Sequence, residues 1–290
     1  MLREAAFRQS LTPKVPVCVV VHGSFTEWNT VCEDACMTYR WLRAAAPHLP
    51  MQMVFYSWPS QASTVVLPPV DVGILGTRAE FNGLYLSQLV QRIPGDCPVC
   101  LIGHSHGARA VTSCLHVLAG GNVQGYRYPQ PEAIPHRIRT VFMAAAVDHH
   151  WLLPGERYGG ALNRTEALLN VRNCRDWALG FYEWRRPFAG NAVGRVGMRD
   201  EDRLRLGESA RKIRELDVSG LLGDEHLWPS YVRRPEIANA TVPYVYFEGE
   251  TGNGTGTIMP SPSSQPTTPM DTLPNNVGAA YRPQSQMPAN

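Results

Sequence analysis

Within this chain of 290 residues, residue type and spacing specify a chemistry most clearly at Gly103-His104-Ser105-His106-Gly107. A serine with glycines two positions to either side marks a very tight turn that lifts a hydroxyl clear of its surroundings. The flanks sharpen the reading. Pro98-Val99-Cys100-Leu101-Ile102 is an apolar run of buried-strand length, and Ala108 to Leu118 is apolar at helical spacing. A hydroxyl at such a strand-to-helix turn lies at the positive end of a helix dipole, where a developing oxyanion is favoured. It becomes a nucleophile only when a base accepts its proton, and the base needs an acid to hold its tautomer.

Partners for Ser105 are few. The chain has nine histidines, and His226 alone comes after His150. It stands in Gly223-Asp224-Glu225-His226-Leu227-Trp228, late in the chain. Two acids follow later strands: Asp176, which is preferred, and Asp148, the alternative acid. Asp224 and Glu225 are too near His226 along the chain to orient its ring and read as solvated loop charges. An oxyanion needs two preorganised backbone N–H donors. His106, next after the serine, supplies one. Ser24 supplies the other from His22-Gly23-Ser24-Phe25, a loop that the His22 side chain braces.

His104, His106, His149, His150 and His22 are also an arrangement a metal could use, since an H-x-H pair is a known ligand spacing. Variable residues commonly fill the positions flanking an elbow serine, so the reading is metal-free and without cofactor.

These residues must be positioned by strands. Val15 to Val21 is a continuous apolar run, the mark of a strand covered on both faces. Trp28 to Ala46 is a helix, and Met51 to Trp58 a second strand stopped by Pro59. A helix over Ala79 to Ile93 precedes the elbow strand. Arg139 to Val147, Ala167 to Val171 and Ile213 to Val218 are further strands, and Trp228 to Arg234 and Val242 to Phe247 close the domain. Strands alternating with helices imply a mostly parallel sheet flanked by helices, with its chemistry at the strands' C-terminal ends. His22, Trp58, Ser105, Asp148 and Asp176 all fall there. Trp177, Phe181, Tyr182 and Trp184 read as core residues on a helix after Asp176. Trp58 and Trp151 read as cover for the sheet rim.

Composition narrows the rest. Apolar content of 44% is ample for a core, and a net charge of +2 argues against a strongly charged partner. The cations are scattered and almost all arginine, with Lys14 and Lys212 the only lysines, so no nucleic acid is expected. No membrane span and no signal-peptide core are visible, which reads as cytoplasmic unless the start is misassigned. Seven cysteines are read as reduced structural thiols, Cys97-Pro98-Val99-Cys100 included. The folded domain is expected over 12–247. The tail, 248–290, is rich in Pro, Ser, Thr and Gly and is expected to be disordered. Oligomeric state is left open.

Taken together, these motifs resemble the α/β-hydrolase superfamily over about residues 15 to 235. The pieces are Val19-Val20-Val21-His22-Gly23, Tyr56-Ser57-Trp58-Pro59-Ser60, Leu101-Ile102-Gly103-His104-Ser105-His106-Gly107 and the late His226. Ser57-Trp58-Pro59-Ser60 is similar to a bacterial branch of uncharacterised hydrolases with small domains. His106 departs from the hydrophobic residue or glutamine that usually follows the nucleophile in lipases and esterases. The resemblance implies a serine hydrolase acting on a small-molecule acyl substrate through an acyl-serine, with partners in the order Asp176, then His226. A carboxylesterase is the preferred form. An acyltransferase using the same triad and a non-catalytic binding module are the alternatives. Only about twenty residues lie between Val147 and Ala167, too few for a lid domain, so an open site without interfacial activation is expected.

Overall fold

Five consecutive apolar residues, Val17 to Val21, are all buried because the two faces of their strand feed two different cores. Val17, Val19 and Val21 join one hydrophobic cluster, and Cys18 and Val20 join the other. That is the two-residue period of a strand expressed in packing. The computed structural model describes residues 4–61, 68–127, 136–185, 189–248 and 257–258.

The chain opens with α1 (Glu4–Ser10) and then alternates through β1 (Val17–Val21), α2 (Trp28–Ala45), β2 (Gln52–Tyr56), α3 (Pro68–Arg92), β3 (Val99–His104) and α4 (His106–Leu118). A hairpin of β4 (Asn122–Val123) and β5 (Tyr126–Arg127) leads to β6 (Ile138–Met143) and β7 (Ala167–Arg172). Then come α5 (Trp177–Gly180), α6 (Val193–Val196), α7 (Asp200–Leu206) and β8 (Ile213–Asp217). The described part closes with α8 (Ser219–Leu222), α9 (Trp228–Tyr231), α10 (Pro235–Tyr246) and β9 (Thr257–Ile258).

The main sheet runs β2-β1-β3-β6-β7-β8-β9, with every neighbouring pair parallel. The chain moves outward from β1 to β2 and then returns to place β3 on the other side of β1. Loops leaving β1 and β3 therefore diverge, and a crevice opens at the strands' C-terminal ends. α3 and α4 contribute to the core on one face of the sheet, α2 and α10 to the core on the other. This is a mostly parallel sheet flanked by helices, as the alternating pattern implied. The β6–β7 connection holds two short 3-10 turns, His149–Leu152 and Ala161–Asn163, and no lid domain.

α4 is buried at every position but His116, so its polar residues need internal partners. Behind it, the buried Glu80 carboxylate accepts from Arg157 at 2.7 and 2.6 Å and from Tyr158 Oη at 2.9 Å. Arg109 stands 3.6 Å from the same carboxylate, its guanidinium over the Trp151 ring. Trp151 is thus buried within this network.

Several boundaries differ from expectation. α3 begins at Pro68, well before Ala79, because a proline in a helix's first turn costs no hydrogen bond. Gly83, farther along α3, allows the close approach of α4: a Cβ there would lie 2.5 Å from that of Ser113. β6 ends at Met143, not Val147, where Ala144 takes φ 48° and the chain leaves the sheet. Thr257–Ile258, within the segment expected to be disordered, pairs with Glu215 and Leu216 as an edge strand. The rest of that tail beyond Glu248 lies outside the described residues. All seven cysteines are unpaired. Among the described residues no helix is long and apolar enough to cross a membrane.

Candidate active site

Ser105 links β3 to α4 with φ 51° and ψ −122°, a backbone conformation held only where its surroundings over-determine it. Those surroundings explain the two glycines. A Cβ on Gly103 would lie 2.5 Å from Ala108 Cα, and one on Gly107 would strike the Val21 and His22 carbonyls. The turn is pinned by Ser105 N–H to the Met143 carbonyl at 3.0 Å. The Ser105 carbonyl in turn accepts from Ala108 and Ala146, both at 3.1 Å.

Ser105, His226 and Asp176 are remote in sequence and adjacent in space. His226 Nε2 stands 3.2 Å from Ser105 Oγ, and its Nδ1 stands 2.7 Å from Asp176 Oδ2. Facing an acceptor-only carboxylate, Nδ1 carries the proton and donates it, which leaves Nε2 to accept from the serine hydroxyl. Asp176 follows β7 and is fully buried, and its other oxygen accepts from Leu179 N–H at 2.9 Å, capping α5.

The His226 loop is held at its backbone. His104 Nε2 donates to the His226 carbonyl at 2.8 Å, and Asn173 Nδ2 donates to the Glu225 carbonyl at 3.0 Å. Burial, with the His226 ring beside it, pushes His104 down to about 3. It is therefore neutral at ordinary pH, with its proton on the nitrogen that meets the carbonyl.

Asp148, the alternative acid, is engaged elsewhere. Its oxygens accept from Tyr182 Oη at 2.9 Å and Gly190 N–H at 3.0 Å, so it anchors the segment after α5.

The Ser24 and His106 side chains are joined, Oγ to Nδ1, at 2.8 Å. His106 opens α4, where first-turn amides lack an intrahelical acceptor. A Cβ on Gly23 would lie 2.8 Å from His104 Nδ1 and 3.1 Å from the Ser105 Cβ, so a glycine there lets the loop after β1 pass close to the serine. His22 braces that loop. Its Nδ1 donates to the Gly23 carbonyl at 2.8 Å, its Nε2 accepts from Trp58 N–H at 3.3 Å, and its ring stacks on Trp58. Burial lowers its pKa. His149 pairs with Asp202 at 2.5 Å, away from the elbow histidines. Among the described residues no three His, Cys, Asp or Glu side chains converge as a metal site.

A cleft of about 690 Å³ opens over Ser105. Phe25, Trp177, Phe181, Trp184 and Leu227 line it, each more than half exposed. Three of these correct the expectation that the aromatics after Asp176 are core. Their helical spacing is real, but Leu179 and Tyr182 take the inward positions, leaving Trp177, Phe181 and Trp184 to the cleft. The sequence reading passed over a charged residue of the lining. Asp34, on α2, is 5% exposed and is the only Asp, Glu, Lys or Arg among the described residues that line the cleft. The signal was present: it sits in register with Val31, Thr38, Trp41 and Leu42 on the buried face of its helix.

Strand order, elbow turn and layering together define a fold of the α/β-hydrolase type. Solved structures similar to the chain include the catalytic core domain of acetyl xylan esterase from Trichoderma reesei, at 14% identity and TM-score 0.31 over 48% of this chain and 67% of that one. The product of the gene lin2722 from Listeria innocua is similar at 12% identity and TM-score 0.48, covering 85% and 98%. Acyl-protein thioesterase 2 from Zea mays is similar at 13% identity and TM-score 0.33, covering 88% of each chain. No protein-family model matches the chain, and no curated protein matches it in sequence.

Proposed function

We propose that this protein is a serine hydrolase that cleaves a carboxylic ester through an acyl-serine intermediate. The observation that carries the reading is the continuous hydrogen-bonded path from Asp176 through His226 to Ser105, with steps of 2.7 and 3.2 Å. As Ser105 Oγ attacks the acyl carbon, its proton passes to His226 Nε2, and Asp176 stabilises the resulting imidazolium. The Ser24 and His106 amides take up the negative charge on the former carbonyl oxygen. The bond to the leaving alcohol then breaks, and the alcohol departs with the proton from His226. Water repeats the sequence on the acyl-serine, with His226 again as base, and releases the acid.

Labelling with a fluorophosphonate probe tests the reading. The native protein and Ser113→Ala should label, and Ser105→Ala should not. Ser113 is a fair control, because its hydroxyl lies on α4 and donates to the Glu80 carbonyl at 2.8 Å. A native protein that stays unlabelled would remove the proposal.

A further inference from the structure

Asp34 is a carboxylate on the buried face of α2, where the periodicity calls for an apolar side chain. Thr38 Oγ1 donates to its backbone carbonyl at 2.6 Å, but among the described residues no donor reaches the carboxylate itself. The walls around it offer nothing ionic. Aromatic and aliphatic side chains dominate, and the other ionisable groups lining the cleft are four histidines and Tyr182. A largely buried carboxylate without a protein donor is destabilising, and an isolated ionised acid on a cleft wall is a place for a complementary charge to bind. Burial, and then Glu33 beside it, raises its pKa to about 6, which leaves it ionised at neutral pH. Trp177 and Trp228 line the same cleft, and aromatic rings attract ammonium groups as well.

We infer that Asp34 is a specificity-determining residue that receives a cationic amine on the substrate, so that the cleft takes an ester joining an apolar body to an ammonium group. This rests on the hydrolase reading for the identity of the scissile bond. The recognition itself does not: Asp34 and the cleft would bind an alkylammonium ion whether or not Ser105 reacts. Asp34 touches no reacting atom; it acts by fixing the far end of the molecule while the carbonyl meets Ser105.

The experiment compares matched esters that end in methyl or in ammonium. One series is p-nitrophenyl alkanoates against ω-aminoalkanoates, from butanoyl to decanoyl. The other is alkyl acetates against ω-aminoalkyl acetates of the same lengths. For at least one length the native protein should favour the ammonium ester by about tenfold in kcat/KM, carried by KM, as a desolvated charge pair warrants. Asp34→Asn should bring that ratio close to one, and Asp34→Leu should do the same. Absence of any ammonium preference, or a preference that survives in both variants, would overturn the inference.

Fluorophosphonate labelling and methyl-ester turnover, read on the same preparations, separate this from failure of the catalytic reading. If the native protein neither labels nor turns over, calorimetric titration with octylammonium decides. Binding that disappears in Asp34→Asn supports the inference, and no binding to the native protein sinks it.

Discussion

The carboxylate of Asp176 that meets His226 Nδ1 at 2.7 Å also holds the first turn of the next helix, through Leu179 N–H at 2.9 Å. The two bonds use different oxygens, so they can be separated by substitution.

Asp176→Asn keeps an oxygen for the Leu179 amide but presents a neutral amide to the imidazole. The expected outcome is a loss of about 10⁴-fold in kcat with little change in thermal stability, since the ring is left in the wrong tautomer. Asp176→Ala should lose comparable activity and about 1 kcal/mol of stability as well, because the cap goes with the acid. Steady-state kinetics and thermal melts on the two variants check this.

His104 should make the fold acid-sensitive. Its folded pKa of about 3 lies below the ordinary histidine value of about 6.5, so the unfolded chain binds the proton more readily. Its contribution is fully present above pH about 6.5 and is lost progressively as the pH falls toward 3. His104→Gln, whose amide can still donate to the His226 carbonyl, should flatten the decline in urea midpoint between those limits. An unchanged slope would refute the assignment.

Asp34 has the opposite sign. Its folded pKa of about 6 is above the ordinary carboxylate value of about 3.9, so the folded protein binds the proton more tightly and gains stability as the pH falls between them. Asp34→Asn should therefore stabilise the fold most above pH 6 and hardly at all below pH about 4. Glu33 lies beside it, and His22, His104, His106 and His226 line the same cleft. The readout is thus the difference in urea midpoint between variant and native protein at each pH.

Two glycines should respond in opposite directions. Gly107→Ala drives a Cβ into the backbone carbonyls of Val21 and His22, neither of which can rotate away, so a loss of about 3 kcal/mol or more is expected. Gly73→Ala, in α3 with nothing within 4 Å of the new methyl, should gain about 0.5–1 kcal/mol from helix propensity. Chemical denaturation of both variants measures the contrast.

What was legible in the chain follows from how local its cause is. The elbow glycines could be read because their requirement is steric and fixed by two residues of backbone. The central strands could be read because burial on both faces leaves no polar positions in Val17 to Val21 or Val99 to Ile102. The approach of His226 to Ser105 was expected from chain order, because only one histidine lies in the late loops. The face that Trp177, Phe181 and Trp184 present was not legible. Helical spacing says that they share a side, but only packing against the sheet says which side is inward. Asp34 was passed over because one acid in a helix is ordinary until its neighbours in register prove to be core. The early start of α3 was hidden for a related reason: Gly73 and Gly76 depress helix propensity, and tertiary contact with α4 overrides that preference.

One short stretch of chain carries both Asp176 and the tryptophan beside it that walls the cleft. On the proposed hydrolase reading, recognition and proton handling would therefore not be independent modules. A bulkier guest leaning on Trp177 would then push on the same turn that holds Asp176, so altering selectivity at this wall would re-aim the imidazole as well. Transplanting the segment into another scaffold would carry both properties along together.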